Sequence, residues 1–64
     1  MPSSVIKYIA YNEDERTLKI TFQTGAVYSY YNVPPALHFG LTAARSKGRY
    51  FNRMIAGRFP FKRL

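Results

Sequence analysis

Between Thr17 and Gln23 apolar and polar side chains alternate without a break, with Leu18, Ile20 and Phe22 on one side and Lys19, Thr21 and Gln23 on the other. A period of two is the mark of a half-buried β-strand. A partner strand carrying Tyr28, Tyr30 and Tyr31 follows a short turn and stops at Asn32-Val33-Pro34-Pro35. The turn decides where the tyrosines point. A two-residue turn at Thr24-Gly25 needs a positive φ at Thr24, which a β-branched residue resists. A three-residue loop, Gln23-Thr24-Gly25, needs it only at Gly25. This second register is favoured; it pairs Phe22 with Ala26, Ile20 with Tyr28 and Leu18 with Tyr30, so that both tyrosines lie on the apolar face. The first register shifts the pairing by one residue and turns both rings to solvent.

Upstream, Val5–Asn12 is rich in β-branched and aromatic residues and scarcely interrupted by polar ones, which predicts a strand buried on both faces. Glu13-Asp14-Glu15-Arg16 reads as a solvated hairpin turn. Downstream, proline suits the first turn of a helix, and Leu37, Leu41 and Ala44 keep the spacing of one buried stripe, giving a helix over Pro35–Lys47. Gly40 weakens it by about 1 kcal/mol relative to Ala, or else lets it approach the sheet closely. Gly48 suits the left-handed residue that closes a helix, with Lys47 at the negative end of the dipole. A second helix, roughly Tyr50–Ala56, is expected before Gly57, and the tail RFPFKRL carries Pro60 against further helix. The expected architecture is α+β, in the order β-β-β-α-α: a three-stranded, mainly antiparallel sheet with one face covered by the first helix, residues 1–64 forming a single domain.

Size narrows the stabilising forces. A chain of 64 residues hides a small share of its surface, and without cysteine it has neither disulfides nor a thiolate metal site. Buried aromatic and aliphatic side chains, each contributing about 1.5–3 kcal/mol, must offset the chain entropy, and dimerisation is open as a further source of stability. The opening Met-Pro-Ser-Ser lacks the basic and apolar regions of a secretory signal, and no stretch approaches the roughly 20 apolar residues of a membrane span. A cytoplasmic protein without a membrane partner is expected.

Charge changes the picture more. Lys7, Arg16 and Lys19 balance the only acids, Glu13, Asp14 and Glu15, whereas Arg45, Lys47, Arg49, Arg53, Arg58, Lys62 and Arg63 meet none, so the whole net charge of +7 falls in the last twenty residues. Enzyme signatures are missing: His38 is the lone histidine and the three acids are consecutive, which leaves no carboxylate pair, nucleophile–base pair or metal cluster to assemble. Ser46 and Lys47 are adjacent and so point about 100° apart on a helix, and Gly48 lacks the companion glycine of a P-loop. No catalysis and no cofactor are expected. The segment Arg45–Arg53 has two readings: Ser46 and Gly48 as caps with Tyr50 and Phe51 in the core, or a phosphate site where cations, the Ser46 hydroxyl and a helix N-terminus meet.

The ordered set Ile9-Ala10-Tyr11-Asn12, Thr17-Leu18 with Ile20 and Phe22, Gly25, Tyr28-Ser29-Tyr30, Val33-Pro34, Leu41, Ala44, Ser46-Lys47-Gly48 and Tyr50-Phe51-Asn52 resembles the KTSC domain. That short bacterial domain is named after its occurrence at the C-terminus of some lysyl-tRNA synthetases, and the resemblance covers nearly the full chain. His38 stands where the pattern has a larger aromatic, and RFPFKRL looks individual to this chain. The resemblance implies the fold first and, through its synthetase context, RNA as a partner. The expectation is a non-catalytic module binding nucleic acid, RNA before DNA. Its residues are Arg45, Ser46, Lys47, Gly48, Arg49, Tyr50, Arg53, Arg58, Lys62 and Arg63, with Tyr50 and Tyr31 for stacking. Engaging about four phosphates of a single strand gives log K a slope near −3 against log salt. The alternative is a protein–protein interaction module or homodimer using a sheet edge or the RFPF aromatics.

Overall fold

The computed structural model describes residues 5–64; the opening segment, read above as no secretory signal, lies outside them. Strands β1 (Ile6–Asn12), β2 (Thr17–Phe22) and β3 (Val27–Tyr30) precede helices α1 (Pro35–Ala43) and α2 (Lys47–Met54), and a short β4 (Phe61–Arg63) closes the chain. The sheet is antiparallel throughout, in the order β1-β2-β3-β4.

The central hairpin adopts the three-residue loop. The Gly25 N–H donates to the Phe22 carbonyl at 2.9 Å, the Phe22 N–H donates to that of Ala26 at 2.8 Å, and Gly25 sits at φ +96°. Ile20 is therefore opposite Tyr28 and Leu18 opposite Tyr30. β1 departs from the expectation of burial on both faces. Its register slips between Ile6 and Tyr8, so that Ile6, Ile9 and Tyr11 turn inward while Tyr8 and Ala10 are exposed. A bulge re-aims side chains in this way at sheet edges, and β1 is an edge strand. The turn after it is held by the Glu15 N–H donating to Asn12 Oδ1 at 3.2 Å, and the Val33 N–H ties it to the loop before α1 by donating to the Arg16 carbonyl at 2.9 Å.

Four features correct the reading from sequence. The tail is a fourth strand, since the Tyr31 N–H donates to the Pro60 carbonyl and the Leu64 N–H to that of Val27; β3 would otherwise be a bare edge, and Pro60, which has no N–H to return to Tyr31, stands just before β4, where a proline is tolerated. α1 stops at Ala43 rather than Lys47 because Ala44 is extended (φ −71°, ψ 143°) and Ser46 caps α2, which begins at Lys47 and not near Tyr50. Gly48 is no left-handed cap. It lies in the first turn of α2, buried, where a Cβ would come within 2.7 Å of Val5 Cγ2. The close approach at Gly40 is made by Tyr50 of α2, whose hydroxyl and Cζ occupy the space of the absent Cβ, and not by the sheet.

Both helices, rather than the first alone, cover one face of the sheet. Leu18, Ile20, Val33, Leu41 and Ile55 are fully buried, with Ile6, Tyr30 and Phe51 nearly so. Phe51 of α2 meets the rings of Phe22 and Tyr30 edge-on at 5.6 and 5.3 Å, a favoured aromatic geometry. No helix among the described residues is long and apolar enough to cross a membrane.

Candidate nucleic-acid interface

The three residues between α1 and α2 set the geometry. Ser46 Oγ accepts the Arg49 N–H at 3.4 Å, and the Ser46 carbonyl accepts the Tyr50 N–H at 3.0 Å, which starts the helix. Arg49 and Arg53 follow at one-turn spacing, about 6 Å apart along the axis, and Arg45 continues the series upstream. Together with Ala44, Ser46 and Tyr50, these arginines line a cleft of about 270 Å³. Arg58 Nε donates to the Arg53 carbonyl at 2.8 Å, which covers the negative end of α2 and adds a guanidinium below Arg53.

The acids lie at the other end of α1. Glu13 shares a groove with Tyr11, Pro35 and His38 at the helix start, and a helix of nine residues puts about 13 Å between its ends. The arginine row therefore has no carboxylate beside it on its own elements. His38 in that groove stacks on Tyr11, centroids 4.6 Å apart and planes 13° from parallel, which is a packing role. The Tyr11 hydroxyl in turn donates to the Val33 carbonyl.

The fold gathers only part of the expected site. Lys47 Nζ donates to the Ala44 carbonyl at 3.3 Å, at the end of α1, and buried Gly48 makes room for Val5. Ser46 and Lys47 thus serve different neighbours. Lys62 and Arg63 point to opposite faces of β4. Arg63 lies 5.8 Å from the Tyr28 ring centroid, on the helix side, whereas Lys62 stands opposite Ser29 on the helix-free side. Tyr50 is half-buried with its hydroxyl end against Gly40, so it walls the cleft and offers no free ring for stacking. Tyr31 is half-buried as well. Among the described residues Tyr8 and Phe39 have the most exposed rings, at 64 and 78 %, while Phe61, at 56 %, has one side against Tyr28 and Tyr30. Sequence reasoning passed over Tyr8 because an uninterrupted apolar strand conceals a bulge. Tyr28 and Tyr30 serve the core, and burial, with Tyr28 adding to it, raises the Tyr30 phenol above its ordinary pKa.

The model of the KTSC domain matches residues 2–59. The chain belongs to the KTSC domain family. A crystal structure of a KTSC domain protein from Yersinia pestis superposes with a TM-score of 0.93 at 38 % identity, covering 100 % of this chain and 90 % of that one; β4, which lies beyond the family match, is within the aligned fold. Among relatives, this KTSC domain is 46 % identical over 61 residues to a lysine–tRNA ligase of Nostoc punctiforme, covering 95 % of this chain and 11 % of the ligase. It is 42 % identical over 57 residues to a protein of Tsukamurella paurometabola, covering 89 % of this chain and 85 % of that protein. The KTSC chain thus spans about a tenth of the ligases it matches, here 11 %, and most of the smaller relative.

Proposed function

We propose that this KTSC domain is a small non-catalytic module that binds RNA in the cytoplasm through the arginine row formed by Arg45 just before α2 and Arg49 and Arg53 on it. The observation that carries the reading is the convergence of Arg45, Arg49 and Arg53 on one cleft, in a chain whose last acid is Glu15. Guanidinium groups suit phosphate because their planar donors bind its oxygens in pairs. Similarity to a stretch of a lysine–tRNA ligase supports choosing RNA ahead of DNA in this reading. With Lys47 engaged at the end of α1, three phosphates are available to the row on a short strand, and log K falls with log salt at a slope of about −2. Titrating labelled oligouridylate across a salt series reads that slope; absence of binding at the lowest salt defeats the proposal.

One observation favours a second reading, a protein-interaction module or homodimer. β1 is an edge strand over Ile6–Asn12, and such edges accept another strand. The RFPF aromatics are less free for this role, since Phe59 packs on the core and Phe61 on Tyr28 and Tyr30. Sedimentation equilibrium separates the readings: a stable dimer whose RNA affinity ignores Arg49→Gln supports the second.

A further inference from the structure

The side of the sheet away from the helices has a chemistry of its own. In the row Ala10, Lys19, Ser29, Lys62, each residue stands directly opposite the next across all four strands, so the four side chains share one face. Neighbouring strands lie about 4.8 Å apart, which places the backbones of Lys19 and Lys62 about 10 Å apart with Ser29 midway. Ser29 is only 7 % exposed although no helix lies over it, so it is side chains of its own face that shelter it, and those directly across are the two lysines. The floor around it is low: Ala10, Thr17 and Ser29 line a shallow depression with Lys19, and Glu15 at the hairpin end is its one acid. At the rim Tyr8 is 64 % exposed, with Lys7 Nζ 5.5 Å from its ring centroid.

Two lysines in register on either side of a small hydroxyl, with Lys19 lining the depression itself, make a seat suited to an oxyanion. Self-association through this face would bring lysines against lysines, which opposes it, whereas a polyanion is complementary. We infer that this face is a second phosphate-binding surface, in which Lys19 and Lys62 clasp a backbone phosphate of single-stranded RNA over Ser29 and Tyr8 offers a ring to a base. This rests on RNA being the ligand of the arginine row. The two surfaces lie on opposite sides of the sheet in a body 18 Å across its shortest axis. β4 is the edge between them: Arg63 points to one side and Lys62 to the other, and Arg58 leads from α2 toward that edge. One strand passing round β4 therefore engages both surfaces, whereas a short one reaches only one.

The test is the length dependence of binding, measured on the whole chain with oligouridylates of about 4 and about 16 nucleotides, lengths that bracket the site sizes of small single-strand-binding domains. The longer strand is expected to bind at least about tenfold tighter, through the raised effective concentration at the second surface. Its salt slope should steepen from about −2 to about −2.8 as one more phosphate is neutralised. Lys19→Gln with Lys62→Gln, confirmed folded by an unchanged melting temperature, should remove both gains and leave the short strand unaffected. Equal slopes for the two lengths and no response to the lysine pair overturn the inference and leave the arginine row standing. Loss on changing the lysines but none on Arg49→Gln with Arg53→Gln defeats the arginine row instead. Absence of RNA binding defeats both, and polyglutamate binding as tightly as the long RNA shows a face for acidic protein, which also overturns the inference.

Discussion

Tyr30 and Ser29 are consecutive residues of β3 and both are nearly buried, at 6 and 7 % exposure, for opposite reasons. Tyr30 is enclosed by rings from two other elements, Phe51 at 5.3 Å and Phe61 at 5.5 Å. Ser29 is sheltered on a face without a helix, between two cations. The alternation of a strand thus separates two jobs over one residue step. One side holds the fold together through apolar contact, and the other leaves its charges unspent on packing and available to a ligand. Stability should accordingly be concentrated on the first side and be nearly indifferent to the second.

The sharpest way to break this contrast is to mutate neighbours on β2. Ile20→Ala, on the fully buried side, should cost about 2–5 kcal/mol, and Lys19→Ala, beside it on the helix-free side, at most about 0.5 kcal/mol. Urea unfolding reads both, and comparable losses would end the distinction. Next in size is Gly40→Ala. Helix propensity alone makes it a gain of about 1 kcal/mol, but the added Cβ runs into the Tyr50 ring, so a loss of about 1–3 kcal/mol is expected. Tyr50→Phe should restore part of it by removing the hydroxyl, and a net stabilisation would show that α1 and α2 are not packed this closely.

A smaller effect separates capping from phosphate binding at Ser46. Ser46→Ala should cost about 1 kcal/mol in thermal unfolding, whereas Ser46→Asp should keep the cap and the stability and, if the proposed RNA site is the arginine cleft, weaken binding by placing a negative charge there. Equal RNA affinity in Ser46→Asp would mean that the cleft does not hold phosphate. The smallest effect is in pH. Folding favours the neutral Tyr30 phenol, so the unfolded chain releases that proton first. The contribution is fully present below about pH 10, the ordinary tyrosine pKa, and is lost as pH rises through the higher value of the folded state. Tyr30→Phe should lose less stability than the parent over that alkaline range, and parallel curves would contradict the assignment.

The central hairpin was fully legible in the sequence because a single steric constraint, the φ of Thr24 against that of Gly25, selects its register, and the register then places Tyr28 and Tyr30. The arginines of the cleft were legible only as charge, within a group of seven cations; that Arg45, Arg49 and Arg53 form one row was hidden, because the expected helix boundary at Gly48 put them on separate elements. The tail was not legible. Phe61-Lys62-Arg63 carries no strand period and becomes β4 only because β3 has an edge to fill, a tertiary cause invisible in a local pattern. For the same reason Lys62 and Arg63, grouped with the arginines by charge alone, part to opposite sides of the sheet. The boundary between the helices was missed because glycine at position 48 invites a cap. Its actual reason is Val5, more than forty residues away in sequence.

The proposed RNA contact at the arginine cleft is open to a direct measurement. Amide chemical-shift mapping with a short oligouridylate at low salt should move Arg45, Ser46, Arg49 and Arg53 most and leave Glu13–Glu15 still. Shifts centred on the β1 edge or on the acidic turn, or no shifts at all, would contradict it.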